Sequence, residues 1–589
     1  MPKNKQFNKT VKLSGIATSP GIAIGPAFLF RPLSINIAEL ESNVSDVEYE
    51  IKHFEDAISK VSNQISFAHH NSQQKFQDQF ADIFESQQAF LKDPVLINEI
   101  KQKIKEEKHS AALAVSVILA EKSEHFINLE NTYFRERAYD IIDLKQKLIN
   151  ALLGIDIDYQ LSKPSIVVAD MLSPSDTVNF NRNFILGFLT DKGGSNSHAA
   201  ILARGLRIPS VVNGYNLSKF IQPDQLIIVD GFQGEIIINP DEKTKEKYLN
   251  IQVEFIDFEN KLLSEIDKEA VTADGHNIRL SANIEFSHEV NDVKVNHADG
   301  VGLFRTESLF IEKQKEPSEE DQFEVYKKIL EQLNPQPVVI RTLDLGGDKI
   351  LEGYSSDNEM NPFLGWRAIR FCLDRPGIFK TQLRAILKAS VYGKAQILIP
   401  MISSIEEIMG VRKIFDEVKK ELRDTGVSFD NNVPIGVMIE TPAAAMVIEH
   451  HAKYADFFSI GTNDLTQYVL AIDRTNDKVS KYYNTFNPAV LYFIEYSIKT
   501  AKQSNKEITL CGEFAAVPQA IPILLGMGLR HFSMNPFYLP EAKKIIRSIK
   551  VEECVNLLDE IRPLDTGQAI QERCNKFIKK HVPDLKYLM

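Results

Sequence analysis

Ile435-Gly436-Val437-Met438-Ile439-Glu440-Thr441-Pro442 and, after a helical stretch, Phe457-Phe458-Ser459-Ile460-Gly461-Thr462-Asn463-Asp464 decide how the second half of this chain folds. Each is an apolar run of strand length that ends on polar or charged residues and gives way to helical spacing. The unit recurs, with strand-like runs at 278–284, 300–306, 338–345, 396–401, 435–439, 457–460, 508–510 and 531–534. Eight β/α units over about 320 residues predict a (β/α)8 TIM barrel, with an open doubly wound sheet as the alternative. Chemistry in a TIM barrel collects at the C-terminal ends of the strands. There this sequence puts Asn283, Arg305, Arg341, Asp344, Met401, Glu440, Asn463, Asp464, Cys511, Glu513 and Asn535.

These residue types point to anion chemistry. Arg305, Arg341 and Arg474 lie at strand ends or in the loops beyond, and a guanidinium grips phosphate or carboxylate through two parallel N–H bonds. Glu440 and Asp464 follow consecutive strands and should lie close together. With the Asn463 amide they offer hard oxygen ligands, the preference of Mg²⁺, whose shell a small phosphorylated acid would complete. Any one of these residues alone reads as a rim salt bridge; the set at one mouth does not. Cys511 is read two ways, as a buried inert thiol or as a proton donor with a shifted pKa. Cys372, Cys554 and Cys574 lie in helical contexts and read as packing residues.

A second chemical centre stands in the first half, at Gly193-Gly194-Ser195-Asn196-Ser197-His198-Ala199-Ala200-Ile201-Leu202-Ala203-Arg204. The strand-like run 184–189 precedes it and a helical run follows, so His198 is expected at a helix N-terminus whose free N–H groups favour an anion. There an imidazole can attack a phosphoryl group and hold it covalently. A helix-capping histidine is the plain alternative. Around this centre, residues 13–31 and 165–239 read as short strands, and the stretch between them has helical spacing, its apolar stripe marked by Ile83, Phe84, Phe90, Leu91, Val95 and Ile100. One α/β domain carrying an inserted helical block accounts for this order. Residues 35–150 hold about 20 acidic against about 13 basic residues, so the block is either a solvated bundle surface or a docking face for a basic partner. Residues 241–268 read as a linker helix, with Tyr248, Ile251, Val253, Phe255, Phe258 and Leu262 at helical spacing.

Composition sets limits. A length of 589 residues implies about three or four domains. A net charge of −12 argues against nucleic acid as the main partner. No run of about 18 apolar residues exists, so no membrane insertion is expected, and the polar, basic segment 1–12 does not read as a secretory signal. Four scattered cysteines without a CxxC exclude a disulfide framework or thiolate zinc site and fit a cytoplasmic protein.

In this order the motifs resemble enzyme I of the bacterial phosphoenolpyruvate:sugar phosphotransferase system over essentially the whole chain. The resemblance rests on Ser14-Gly15-Ile16 with Ser19-Pro20-Gly21-Ile22-Ala23, and on Gly193-Gly194 with Ser197-His198 and Ala203-Arg204. It continues in Gly302-Leu303-Phe304-Arg305-Thr306-Glu307, in Arg341-Thr342-Leu343-Asp344 with Gly346-Gly347-Asp348-Lys349, and in Asn361-Pro362-Phe363-Leu364-Gly365-Trp366-Arg367. Glu440-Thr441-Pro442-Ala443, Gly461-Thr462-Asn463-Asp464-Leu465-Thr466-Gln467-Tyr468, Asp473-Arg474 and Cys511-Gly512-Glu513 complete it.

The resemblance implies an α/β multidomain protein: a phosphohistidine α/β domain in two parts, 1–34 and 154–240, an inserted helical bundle at 35–153, a linker helix at 241–268, and a phosphoenolpyruvate-binding TIM barrel with a dimer interface at 269–589. His198 would be the phosphorylated residue, and Thr177 would hydrogen-bond its other ring nitrogen. Arg305, Arg341, Arg474 and the backbone near Asn463 would hold phosphoenolpyruvate, with Arg367 in the same basic lining. Glu440 and Asp464 would bind Mg²⁺, and Cys511 would protonate the enolate to pyruvate. The helical insertion would dock the phosphocarrier HPr, whose histidine takes the phosphoryl group, and the barrel would form a homodimer. The family usually has Thr before Ser-His and often Arg before that Thr; here Asn196 and Ser195 stand there, with Lys192 before the glycines. A pyruvate phosphate dikinase would need a nucleotide domain for which the N-terminal block is too short. A nitrogen-branch enzyme I usually carries an extra N-terminal sensory domain, and a silent phosphoenolpyruvate sensor would lack His198, Cys511 or a metal ligand.

Overall fold

The computed structural model describes residues 10–30, 40, 44–76, 87–88, 90–127, 132–155, 161, 163–172, 176, 180–193, 199–200, 203, 208–214, 217–311, 316–345, 361–474, 476 and 478–587. The chain divides into two compact units, Met1–Asp257 and Phe258–Tyr587.

The first unit is built on strands β1 (Val11–Ser14), β2 (Ile16–Ser19), β3 (Ile22–Phe30), β4 (Ser165–Ala169), β5 (Ile185–Thr190), β6 (Ser210–Val212), β7 (Leu226–Asp230) and β8 (Glu235–Ile238). They form one sheet in the order β1-β8-β7-β3-β4-β5-β6-β2. β3 holds the sheet together: its first half pairs antiparallel with β7, from Ile22↔Asp230, and its second half pairs parallel with β4, from Ala27↔Ile166. β4 is buried along its whole length, as its unbroken apolar sequence requires for a strand covered on both faces. The strands flanking the helical stretch are therefore hydrogen-bonded neighbours, and the helices are an insertion between β3 and β4.

Within that insertion α1 (Val47–Phe76), α2 (Pro94–Glu107), α3 (Ala111–Ile127) and α4 (Thr132–Leu153) are described. Their core residues Phe54, Val61, Ile65, Ile100, Ile104 and Leu144 belong to one apolar cluster with Phe30, Val167 and Phe188 of the sheet. The expected stripe is only partly right. Leu91 and Ile100 are buried, but Val95 is 62% exposed. Asp93 caps α2 by accepting from the Val95 N–H at 2.8 Å, which sets the buried face on Leu96, Ile100 and Ile104. Ile83 and Phe84 lie outside the described residues. The expected linker is α5 (Glu242–Leu263). Tyr248 packs on Ile22, Ile228 and Ile237 and donates its hydroxyl to Glu235 at 2.6 Å. Phe255 and Phe258 are buried, and Val253 is exposed.

The second unit is the expected barrel. Strands β9 (Arg279–Ile284), β10 (Val301–Phe304), β11 (Pro337–Arg341), β12 (Lys394–Ile399), β13 (Ile435–Ile439), β14 (Phe457–Ile460), β15 (Glu507–Leu510) and β16 (His531–Met534) close in sequence order, and every pair is parallel. Closure excludes the open doubly wound sheet, because no strand is left at an edge. Leu303, Val339, Leu398, Met438 and Cys511 fill the interior as one cluster, with Phe457 packed on it. The register Ile439↔Ile460 and Ile460↔Leu510 brings Glu440, Gly461 and Cys511 side by side at the C-terminal end.

Near the opposite end His531 bonds Ser281 Oγ and Thr509 Oγ1, both at 2.8 Å. Burial, with a smaller contribution from Arg279, pushes this imidazole down to about 3. A histidine kept neutral in the fold but protonated at about 6.5 when unfolded contributes stability above about pH 6.5, and that stability is lost as pH falls towards 3. The barrel should therefore lose about 1–2 kcal/mol between pH 7.5 and 4.5 through this residue, allowing for the ring's partial exposure. The single tryptophan, Trp366, lies in this unit, so urea midpoints by its fluorescence at both pH values measure it. His531→Gln should shrink the difference between them; an unchanged difference would refute the assignment.

Candidate active site

The mouth is assembled from loops that leave the C-terminal ends of the strands. Arg341 is the last residue of β11 and is buried. Its Nη2 meets Glu307 Oε2 at 3.0 Å, and its Nη1 meets Asp344 Oδ2 at 2.9 Å. The other oxygen of Asp344 meets Arg367 Nη2 at 2.7 Å. Asp344, its side chain 3% exposed, is thus a bridge between two arginines from different segments. Burial opposes both guanidinium charges, yet the carboxylates raise the two pKa values: Glu307 and Asp344 for Arg341, Asp344 and then Asp464 for Arg367. The Nε atoms of both arginines are buried without a hydrogen-bond partner. Arg305, just after β10, pairs with Glu285 after β9.

The carboxylates occupy the adjoining sector. Glu440 follows β13 and is 1% exposed. Its Oε1 accepts the N–H of Met401 at 2.6 Å. Met401 holds a left-handed φ of 58° to aim that N–H, a backbone state costing a non-glycine residue about 1–2 kcal/mol. Burial, then the neighbouring Asp464 and Asp344, raise the Glu440 pKa; Arg341 and the Met401 N–H oppose them. Asp464 does not end a strand as expected. It lies in the first turn of the helix Thr462–Leu470 that follows β14, with its Oδ1 3.8 Å from Arg474 Nη2. Glu440 Oε2 and Asp464 Oδ1 are both buried and make no hydrogen bond. A Cβ at Gly461 would stand 2.9 Å from Glu440 Oε2, so glycine leaves that oxygen its space.

Asn463, at the start of the same helix, exchanges side-chain bonds with the next loop: its Nδ2 donates to Glu513 Oε1 at 3.1 Å, and its Oδ1 accepts the Glu513 N–H at 3.0 Å. Its carbonyl accepts from Tyr483 Oη at 3.1 Å. Tyr468 donates to the Phe363 carbonyl at 2.5 Å, tying this helix to the segment that carries Arg367. Cys511 lies beyond β15, 1% exposed. Burial pushes its thiol up to about 11, against a downward pull from the Ser459 hydroxyl. Burial therefore favours the protonated form, which both readings of Cys511 share. The other three cysteines are buried.

The barrel thus gathers Arg305, Arg341, Arg367, Arg474, Asn463, Glu440, Asp464 and Cys511 at one mouth. His198 and Thr177 lie outside the described residues, as do Ser195, Asn196, Arg204 and residues 346–349. Sequence reasoning gave Asp344 a place at the mouth but no role, quoted Glu307 only within a motif, and missed the holding carboxylate Glu285. The Arg341-Thr342-Leu343-Asp344 spacing was the available signal for one clamp. The others join segments far apart in the chain. Among the described residues no group of three or more His, Cys, Asp or Glu side chains forms a metal cage. The two orphaned oxygens of Glu440 and Asp464 suit instead a cation held by one or two carboxylates and completed by ligand oxygens.

Comparison with known proteins follows the same division. Residues 14–137 match the N-terminal model of phosphoenolpyruvate-utilising enzymes, residues 161–234 match their mobile domain, and residues 260–551 match their phosphoenolpyruvate-binding domain. The phosphoenolpyruvate-protein phosphotransferase of Priestia megaterium is 40% identical over 565 residues, covering 96% of this chain and 98% of that one. That of Bacillus subtilis is 38% identical over 561 residues, covering 95% and 98%. The solution structure of an Enzyme I protein is 35% identical, covering 41% of this chain and 99% of its own, at a TM-score of 0.37. Similar almost end to end to such relatives, and matched by all three of these models, the chain belongs to the phosphoenolpyruvate-protein phosphotransferases, the enzyme I family.

Proposed function

We propose that this chain takes the phosphoryl group of phosphoenolpyruvate onto His198, releases pyruvate, and passes the group to a histidine of the phosphocarrier HPr, the first step of sugar uptake by the phosphotransferase system. The observation that carries the proposal is the mouth itself: four arginines, two orphaned carboxylate oxygens and a protonated thiol at one end of a closed barrel.

Arg305, Arg341, Arg367 and Arg474 bind the phosphate and carboxylate of the substrate. Asp344 keeps Arg341 and Arg367 in a fixed relation, so that little reorganisation is needed on binding. Glu440 and Asp464 would hold Mg²⁺, which would supply positive charge to neutralise the phosphate. His198 attacks phosphorus and the bond to the enolate oxygen breaks. Thr177 orients the ring through its other nitrogen. Cys511 gives its S–H proton to the methylene carbon of the enolate, and pyruvate forms. The helical insertion, 35–153, receives HPr on its acidic face, the barrel 269–589 carries a homodimer interface, and the enzyme works in the cytoplasm. No helix among the described residues is long and apolar enough to cross a membrane.

Radiolabelled phosphoenolpyruvate with Mg²⁺ should label the purified chain with about one phosphoryl group that is labile in acid and stable in base, the signature of a phosphoramidate. HPr should then remove it. Absence of label, or an acid-stable one, would overturn the proposal.

A further inference from the structure

Cys511 has a neighbour for which the chemistry above has no use. Ser459, the third residue of β14, donates its hydroxyl hydrogen to Cys511 Sγ at 3.1 Å. The sulfur in turn donates towards the Ile460 carbonyl at 3.6 Å. Ser459 and Cys511 are each 1% exposed. The register pairs Ser459 with Thr509, so Ser459 lies one inward step below Cys511, towards the barrel floor. There a small cavity, with about 20 Å³ of space for a water's centre, is lined in part by Ser459, Thr509, Ser281, Gln396 and His531, room for about one water.

The apolar side chains packed with the sulfur are Leu303, Val339, Leu398 and Met438, while the charges of Glu440, Arg341 and Arg305 act on it from the mouth. A hydroxyl among such side chains is costly unless its hydrogen bond is used. The Ser459 hydroxyl approaches the sulfur from below and occupies one of its lone pairs. To give up its proton at the mouth, the S–H bond has to turn away from the Ile460 carbonyl.

We propose that Ser459 is a positioning residue for the proton-donating thiol, holding Cys511 Sγ in the geometry for transfer and stabilising the thiolate that transfer leaves. The inference rests on Cys511 being the acid. In that step the S–H bond breaks, a C–H bond forms at the methylene carbon of the pyruvate enolate, and the electron pair stays on sulfur. The Ser459 O–H to sulfur bond then becomes charge-assisted, the stronger kind, so its contribution is larger after transfer than before.

The test compares the full-length wild type with Ser459→Ala, Ser459→Thr and Cys511→Ala. Two quantities are read: pyruvate formation with phosphoenolpyruvate, Mg²⁺ and HPr as phosphoryl acceptor, and the infrared S–H stretch of Cys511, isolated by difference against Cys511→Ala. Ser459→Ala should lower the rate about tenfold at saturating substrate, with KM within about twofold, and should move the S–H band. Ser459→Thr, which keeps the hydroxyl, should hold both near wild type. A wild-type rate in Ser459→Ala overturns the proposal, as does a slowed rate with the band unmoved. Wild-type pyruvate formation by Cys511→Ala would mean that the acid itself is misassigned. A slow Cys511→Ala beside an unaffected Ser459→Ala would overturn the role of Ser459 alone.

Discussion

His198→Ala is expected to lower phosphoryl transfer from phosphoenolpyruvate to protein by more than about 10⁴-fold, because the nucleophile that forms the covalent intermediate is gone. Binding of phosphoenolpyruvate with Mg²⁺ should stay within about twofold. The contrast follows from where the groups lie. His198 belongs to the unit Met1–Asp257, whereas every arginine and carboxylate of the mouth belongs to Phe258–Tyr587. Radiolabel transfer and titration calorimetry on the same preparation measure the two quantities. A variant that kept its circular dichroism spectrum but lost phosphoenolpyruvate binding would count against an acceptor and a binding site on separate units. A variant still labelled at full rate would remove His198 from the mechanism.

Glu440→Gln should cost about 10³-fold or more in activity and should abolish the response to Mg²⁺. The substitution keeps the size of the side chain and an oxygen to accept the Met401 N–H, now at 2.6 Å. It removes the negative charge that a hard divalent cation requires. It also removes a carboxylate that burial, Asp464 and Asp344 already destabilise, so the empty barrel should be as stable as wild type or more so. Loss of activity with an undiminished melting temperature is the expected pair of results, read by rate against Mg²⁺ concentration and by thermal unfolding. Normal activity at limiting Mg²⁺ would refute Glu440 as a ligand.

Much of this architecture is legible in one dimension. All eight barrel strands occur where apolar runs alternate with helical spacing, since a parallel strand buried on both faces needs such a run and each crossover needs a helix. The chain order of a closed barrel also says which residues reach the mouth. Arg305, Arg341, Glu440 and Cys511 could therefore be assigned to it from their positions after strands. Asp464 reads as a strand end in the sequence because periodicity does not show whether a helix begins two residues earlier or later. Val95 reads as part of the apolar stripe by its hydrophobicity, but the Asp93 cap sets the phase of α2 and leaves it exposed.

Read alone, the chain already holds the inventory: one barrel, one α/β domain with a helical insertion, and the charged groups at the mouth. The pairings come from the folded molecule. That Asp344 bridges Arg341 and Arg367 follows from how the loops beyond the strands pack, and that Ser459 hydrogen-bonds Cys511 follows from lateral register between strands. Ser459 and Cys511 lie 52 positions apart in the chain. Alternation along a strand fixes whether a side chain points inward, but not its height against the next strand. Register and barrel closure set that height, and both depend on contacts across the whole ring.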